Sequence, residues 1–105
     1  PKVIGRFARE EDWITMEEAV KKMTFNPAHV LRVDDRGVVR RGTRADITIF
    51  DPKTIIDTAT YEEAKPPVGI EYVIVNGTVV LEKGEYHKDR LVGSVIKSTS
   101  YYQAV

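Results

Sequence analysis

The 105-residue sequence predicts an α+β protein in which short N-terminal helices are followed by a mainly antiparallel β-sheet. Three observations carry that prediction. Residues 15–23 combine a helix-capping pattern with helically spaced apolar side chains. From Gly37 onward the texture changes to Val, Ile, Thr and aromatic runs separated by Gly, Pro and Asn. Within that region Asn76-Gly77 stands between two apolar runs, a pairing suited to the positive φ angles of a type I′ hairpin turn.

The opening residues, PKVIGRFAREED, alternate in charge around a small apolar cluster (Val3, Ile4, Phe7) and fit either a helical turn or an extended lead-in. The next stretch, WITMEEAVKKMTF, is more definite. Thr15 and Glu18 form a T-x-x-E capping box, in which each side chain is expected to accept the backbone N–H of the other residue. Ile14 and Ala19 occupy the hydrophobic-staple positions. Met16, Ala19, Val20 and Met23 follow the i, i+3, i+4, i+7 spacing of a buried face, and Lys21 and Lys22 complement the C-terminal end of the dipole. Asn26 then reads as an N-cap and Pro27 as the first residue of a second helix over 27–33, ending in the DDRG turn around Gly37.

The β region offers VVR, ADITIF, IEYVIV and TVVLE, for four or five strands. A two-residue turn at Asn76-Gly77 pairs Val75 with Thr78, Ile74 with Val79, Val73 with Val80 and Tyr72 with Leu81. One face then carries Ile70, Tyr72, Ile74, Val79 and Leu81, and the other Val73, Val75 and Val80. Both faces are apolar, so the hairpin is expected to be covered on two sides. Residues 52–69 read as a long loop with polyproline character at Pro66-Pro67. In RRGTRADITIFDP, Gly42 permits a turn and Ala45 a close approach. Asp46 is expected to accept hydrogen bonds from the N–H groups of that turn, Ile47 and Ile49 to pack one sheet face, and Asp51-Pro52 to stop the strand.

Composition narrows the chemistry. Sixteen Lys and Arg balance sixteen Asp and Glu, so no global field draws the chain to nucleic acid or to an acidic membrane, and neither is expected as a partner. The absence of Cys excludes disulfides, thiolate ligation and a cysteine nucleophile within the chain. No apolar run approaches the roughly 18 residues of a membrane span and no signal-peptide pattern opens the sequence, which gives the expectation of a soluble, cytoplasmic protein. The thermolabile residues reduce to Asn26, Asn76, Gln103 and two Met amid abundant charge, a bias resembling that of thermophiles.

No catalytic set emerges. His29 and His87 stand outside any H-x-H or H-E-x-x-H pattern; His29 is read as a packing or capping residue and His87 as a surface-loop residue. Asp34-Asp35, between Arg32 and Arg36, reads as a solvated turn rather than a cation site. There is no G-x-S-x-G, no G-x-G-x-x-G and no phosphate-binding loop. The basic run Arg40, Arg41, Arg44 lacks interleaved aromatics, as a nucleic-acid face would not. Accordingly no residue is assigned a catalytic, cofactor-binding or metal-binding role.

In their order, the segments EEAV, KMT and NPA, then RG, ADITIFDP, DPKTIIDTAT, PVGIEYVIVNG and GSVIK resemble the C-terminal end of amidohydrolase-superfamily enzymes. The finer similarity is to the N-acyl-D-amino-acid deacylases (D-aminoacylases), including the RFAREE segment before the helix, and it extends over roughly residues 3–97. The resemblance implies a zinc-dependent hydrolase with a (β/α)8 barrel and a small β-sandwich built from both chain ends. It assigns residues 1–36 to the last barrel helices, 37–97 to the C-terminal part of the sandwich, and STSYYQAV (98–105), which departs from the family ending, to an appended or disordered tail. It also implies that the zinc ligands and the catalytic Asp lie upstream, on segments that do not occur here. The chain alone is thus expected to be inactive, its partners being the missing barrel and N-terminal strands, or in isolation further copies of itself. Two other readings stand beside this one: a stand-alone β-module for oligomerisation or binding, and a segment of an amidohydrolase acting on cyclic amides or amidines.

Overall fold

A computed structural model describes residues 1–97; the 98–105 tail lies outside the described residues. The opening segment is helical, but as a π-helix over Val3–Glu10. Its wider turn shows in the Glu11 N–H, which donates to the Arg6 carbonyl at 2.8 Å, five residues back. Val3, Ile4 and Phe7 span little more than one turn, too short a run for apolar spacing to distinguish a π-helix from an α-helix. Ile4 and Ala8 are buried, and Phe7 stacks on Trp13 with ring centroids 5.1 Å apart.

Helix α1 (Met16–Met23) starts as its sequence requires: the Thr15 hydroxyl accepts the Glu18 N–H at 3.1 Å. The return bond from Glu18 is not made. Ala19 is fully buried and Ile14, Met16 and Val20 pack around it, while Met23 at the far end is 40% exposed. The Thr24 hydroxyl donates to the Val20 carbonyl, closing α1.

Helix α2 is shifted from its expected position. It spans Phe25–Val30, not 27–33, and Asn26 lies in its first turn instead of capping it. Pro27 is accommodated there because the first-turn N–H groups have no intrahelical partner. The end comes early because Arg32 adopts φ 55°, and the Val33 N–H reaches the Ala28 carbonyl while the Arg32 N–H reaches that of His29. This is a Schellman closure with Arg in the position usually taken by Gly, and it buries Val33.

The sheet is four-stranded and antiparallel, in the order β1 (Ile47–Phe50), β2 (Ile70–Val75), β3 (Thr78–Glu82), β4 (Glu85–Tyr86). VVR is not a strand. The Arg44 N–H donates to the Asp35 carbonyl, and the Thr43 hydroxyl bonds within 38–43, folding that stretch into a loop. The β2–β3 turn has positive φ at Asn76 and Gly77, as expected. Val75 pairs with Thr78 and Ile74 with Val79, but the ladder then slips, so that Val73 pairs with Leu81 and Tyr72 with Glu82. Val80 is the extra residue of this bulge, and it is buried. The expected clean division of the hairpin into two faces therefore ends at the bulge. Ile49 is 47% exposed, so it does not pack within this chain as Ile47 and Ile49 were expected to do.

Helices and sheet share one core, centred on the turn that follows β1. Asp51 initiates that turn: its carboxylate accepts the Lys53 N–H and its carbonyl accepts those of Thr54 and Ile55. The turn drops Ile55, only 2% exposed, against Ile4, Ala8 and Ala19, with Phe50 and Ile70 alongside. Burying such a side chain contributes about 1.5–3 kcal/mol. The Arg9 guanidinium donates to the Ile55 carbonyl at 2.8 Å, tying the π-helix to the turn. Two glycines allow the approach. A Cβ on Gly5 would stand 2.3 Å from the Ile55 carbonyl oxygen, and one on Gly69 2.4 Å from the Ile55 Cα. Gly69→Ala, which also carries φ +85°, should lower thermal stability by roughly 1–3 kcal/mol or more. Gly42→Ala, at φ +90° with open space around it, should cost only about 1 kcal/mol. Urea unfolding of the two variants checks the order; equal losses would refute the close-approach argument.

Candidate functional site

The densest polar arrangement is centred on Asp46, just ahead of β1. Its Oδ1 accepts the Asn76 N–H at 2.7 Å, across 30 residues, and its Oδ2 accepts the Arg36 Nε at 2.9 Å. Beside it the Ala45 carbonyl accepts the Gly77 N–H at 3.0 Å. Both N–H groups of the β2–β3 turn are thereby held by the Ala45-Asp46 pair. The carboxylate does cap a turn, but the distant hairpin turn and not its own. The charges continue outward: Arg36 also contacts Asp35 at 3.4 Å, and Asp35 accepts the Arg44 Nε at 3.0 Å. Arg44–Asp35–Arg36–Asp46 is thus an alternating chain of cations and anions. Asp35 is paired with Arg36 and Arg44, more structured than the solvated turn expected of it. Within the basic run, Arg40 and Arg41 remain exposed.

The Asn76 N–H, first, holds the Asp46 carboxyl below the ordinary aspartate range; partial burial opposes this, and Arg36 and then Arg44 reinforce it. A carboxylate depressed in the folded state adds stability that is fully present above its unfolded pKa and is lost as pH falls through the folded value. Acidification below about pH 4 should therefore release the clamp and lower the protection of the Asn76 amide relative to its intrinsic exchange rate, while Asp46→Asn should flatten that pH dependence of the protection. Amide exchange followed by NMR between roughly pH 5 and pH 2, each rate divided into the intrinsic rate at that pH, checks this; an Asn76 protection factor indifferent to pH would refute it.

The two histidines are not brought together. His29 lies exposed on α2 with its ring stacked on Phe25, centroids 5.8 Å apart, which is a packing role. His87 is half-buried and not a plain surface residue. Its backbone N–H donates to the Val80 carbonyl, and its buried Nε2 has no hydrogen-bond partner, the Glu82 carboxylate lying 3.7 Å away. Among the described residues, no three His, Cys, Asp or Glu side chains come together as metal ligands would. The residues present do not fit the zinc site that the resemblance implies. Of the charges lining a polar cleft between Asp34, Asp35, Arg36, Arg44 and residues 94–97, Asp35, Arg36 and Arg44 are already engaged with one another. The Asp46 arrangement can hold a frame; it contains no nucleophile beside a base. No helix among the described residues is long and apolar enough to cross a membrane.

Residues 2–81 match the family model described as "Amidohydrolase family". The chain belongs to the amidohydrolase family. Within that family it is 44% identical over 80 residues to the N-acyl-D-glutamate deacylase of Alcaligenes xylosoxydans xylosoxydans, an alignment covering 75% of this chain and 16% of the relative. Its fold superposes on the crystal structure of a D-aminoacylase with a TM-score of 0.84 and 35% identity, over 90% of this chain and 20% of that one. It also superposes on the zinc- and phosphonate-bound N-acyl-D-glutamate deacylase of Bordetella bronchiseptica with a TM-score of 0.73 and 45% identity, over 75% of this chain and 17% of that one. This amidohydrolase chain thus spans a sixth to a fifth of the length of these relatives, and its α+β fold is that of part of a D-aminoacylase.

Proposed function

We propose that this chain is the C-terminal, non-catalytic segment of a zinc-dependent N-acyl-D-amino-acid deacylase, and that its work is to complete and stabilise the frame around a catalytic barrel supplied by other residues. The observation that carries this reading is the contrast between two facts. Most of the chain matches deacylases at 35–45% identity, yet the carboxylate at the centre of its densest polar arrangement, Asp46, is spent on a turn and a guanidinium. In this reading residues 1–36 are the last helices of the barrel region and 37–97 the C-terminal share of the β-sandwich. Amide hydrolysis, with an N-acyl-D-amino acid as substrate, belongs to the assembled enzyme. The D-glutamate and D-aminoacylase relatives support that substrate class, and the geometry of this chain does not choose among D-amino acids.

The test has two arms. The purified 105-residue chain with added zinc should show no chelator-sensitive release of D-glutamate from an N-acyl-D-glutamate. Fused in place of the matching segment of the Alcaligenes N-acyl-D-glutamate deacylase, it should sustain hydrolysis. Zinc-dependent turnover by the chain alone, or a fused enzyme that folds but never turns over, would count against the reading.

A further inference from the structure

The two edges of the sheet differ. On the far side of β3, β4 covers Leu81 and Glu82, the His87 N–H takes the Val80 carbonyl, and the Arg90 guanidinium takes the Val79 carbonyl at 2.6 Å. That edge is closed by the chain's own residues. The opposite edge is β1, whose four residues, Ile-Thr-Ile-Phe, carry no charge and no Pro, the devices that usually discourage pairing. Every second residue of such an edge presents its N–H and C=O outward. Thr48 and Ile49 are exposed on it, Ile49 to 47%.

The ends of this open edge carry opposite charge. Before β1, the 38–43 loop presents Arg40 and Arg41, both exposed and without ion-pair partners among the described residues, next to Val39 at 84% exposure. After β1, the 57–67 loop is stiffened by the Ile56–Val68 bridge and by the Thr58 hydroxyl bond to the Pro66 carbonyl. It carries a half-buried Asp57 and an exposed Glu62, both without ion-pair partners among the described residues, beside a fully exposed Tyr61. Glu63 is already engaged by Lys65.

We propose that the β1 edge is a self-association surface, on which a second copy of this chain pairs its own β1 antiparallel about a two-fold axis. Such a two-fold sets the start of one β1 beside the end of the other, so Arg40 and Arg41 of each copy meet the loop of Asp57 and Glu62 of its mate, twice over. Complementary ends select the antiparallel register; parallel pairing would oppose like charges. Ile49 is covered at the centre. Screening by salt acts on the two charged ends and leaves the strand pairing in place.

Sedimentation equilibrium of the 105-residue chain at about 10–100 µM tests this, a range suited to so small an interface. A mass twice the 11.9 kDa of one chain is expected. Ile49→Lys should restore the monomer with its circular dichroism unchanged. Arg40→Glu with Arg41→Glu should weaken association about tenfold or more, and adding Asp57→Lys with Glu62→Lys should restore it, as expected of complementary charge pairs. A monomeric wild type leaves the edge to a strand from a longer chain or another protein and overturns the proposal. So does a dimer indifferent to these substitutions, or a charge reversal that fails to restore pairing.

Discussion

One carboxylate joins three parts of the chain that are far apart in sequence. Asp46 precedes β1, receives Arg36 from the connection after the helices, and holds the Asn76 N–H of the β2–β3 turn. With the Ala45–Gly77 bond beside it, this sets β1 against the hairpin through hydrogen bonds that do not depend on the strands' side chains. The Ile47–Ile74 pair is the next rung. A hydrogen bond to an ionised acceptor is worth about 1.5–3 kcal/mol, more than most single contacts at a half-exposed sheet.

The second constraint is steric. Ile55 reaches the helical core only because Gly5 and Gly69 leave its backbone room, and Arg9 then secures the same carbonyl that Gly5 approaches. The π-helix, the turn after β1 and the start of β2 meet at that point. Elsewhere the sheet is thinly covered: Val80 is its sole buried strand residue among those described, and the other apolar strand residues are half-buried or exposed. A well-packed junction with a lightly covered sheet is what a part of a larger frame looks like, in keeping with the chain's share of its relatives.

Features carried by short-range chemistry were legible in the sequence: the Thr15 cap, the α1 face around Ala19, the Asn76-Gly77 turn and the Asp51-Pro52 stop. Features set by distant contacts were not. The bulge at Val80 changes register with no local signal, since Val79, Val80 and Leu81 are interchangeable to a periodicity argument. Arg32 in a left-handed conformation ends α2 where a Gly would have announced it. Asp46 was recognisable as a capping residue, but its partner lies 30 residues on, and Arg36 carried no mark that separated it from its neighbours. The open β1 edge appears only once strand order is known, because ITIF, with no charge and no Pro, reads as an interior strand and yet sits at the edge.

If the polar residues of this segment hold a frame and leave the chemistry to others, removing Asp46 from an active enzyme must cost stability and spare turnover. Asp46→Ala, placed in the deacylase fusion, should lower Tm by several degrees, as expected for a loss of about 1–3 kcal/mol in a chain of this kind. Its kcat per folded molecule should stay within about twofold of the parent, a barrier change under roughly 0.5 kcal/mol. A kcat reduced about a hundredfold at unchanged Tm would contradict that reading and place Asp46 in the catalytic machinery.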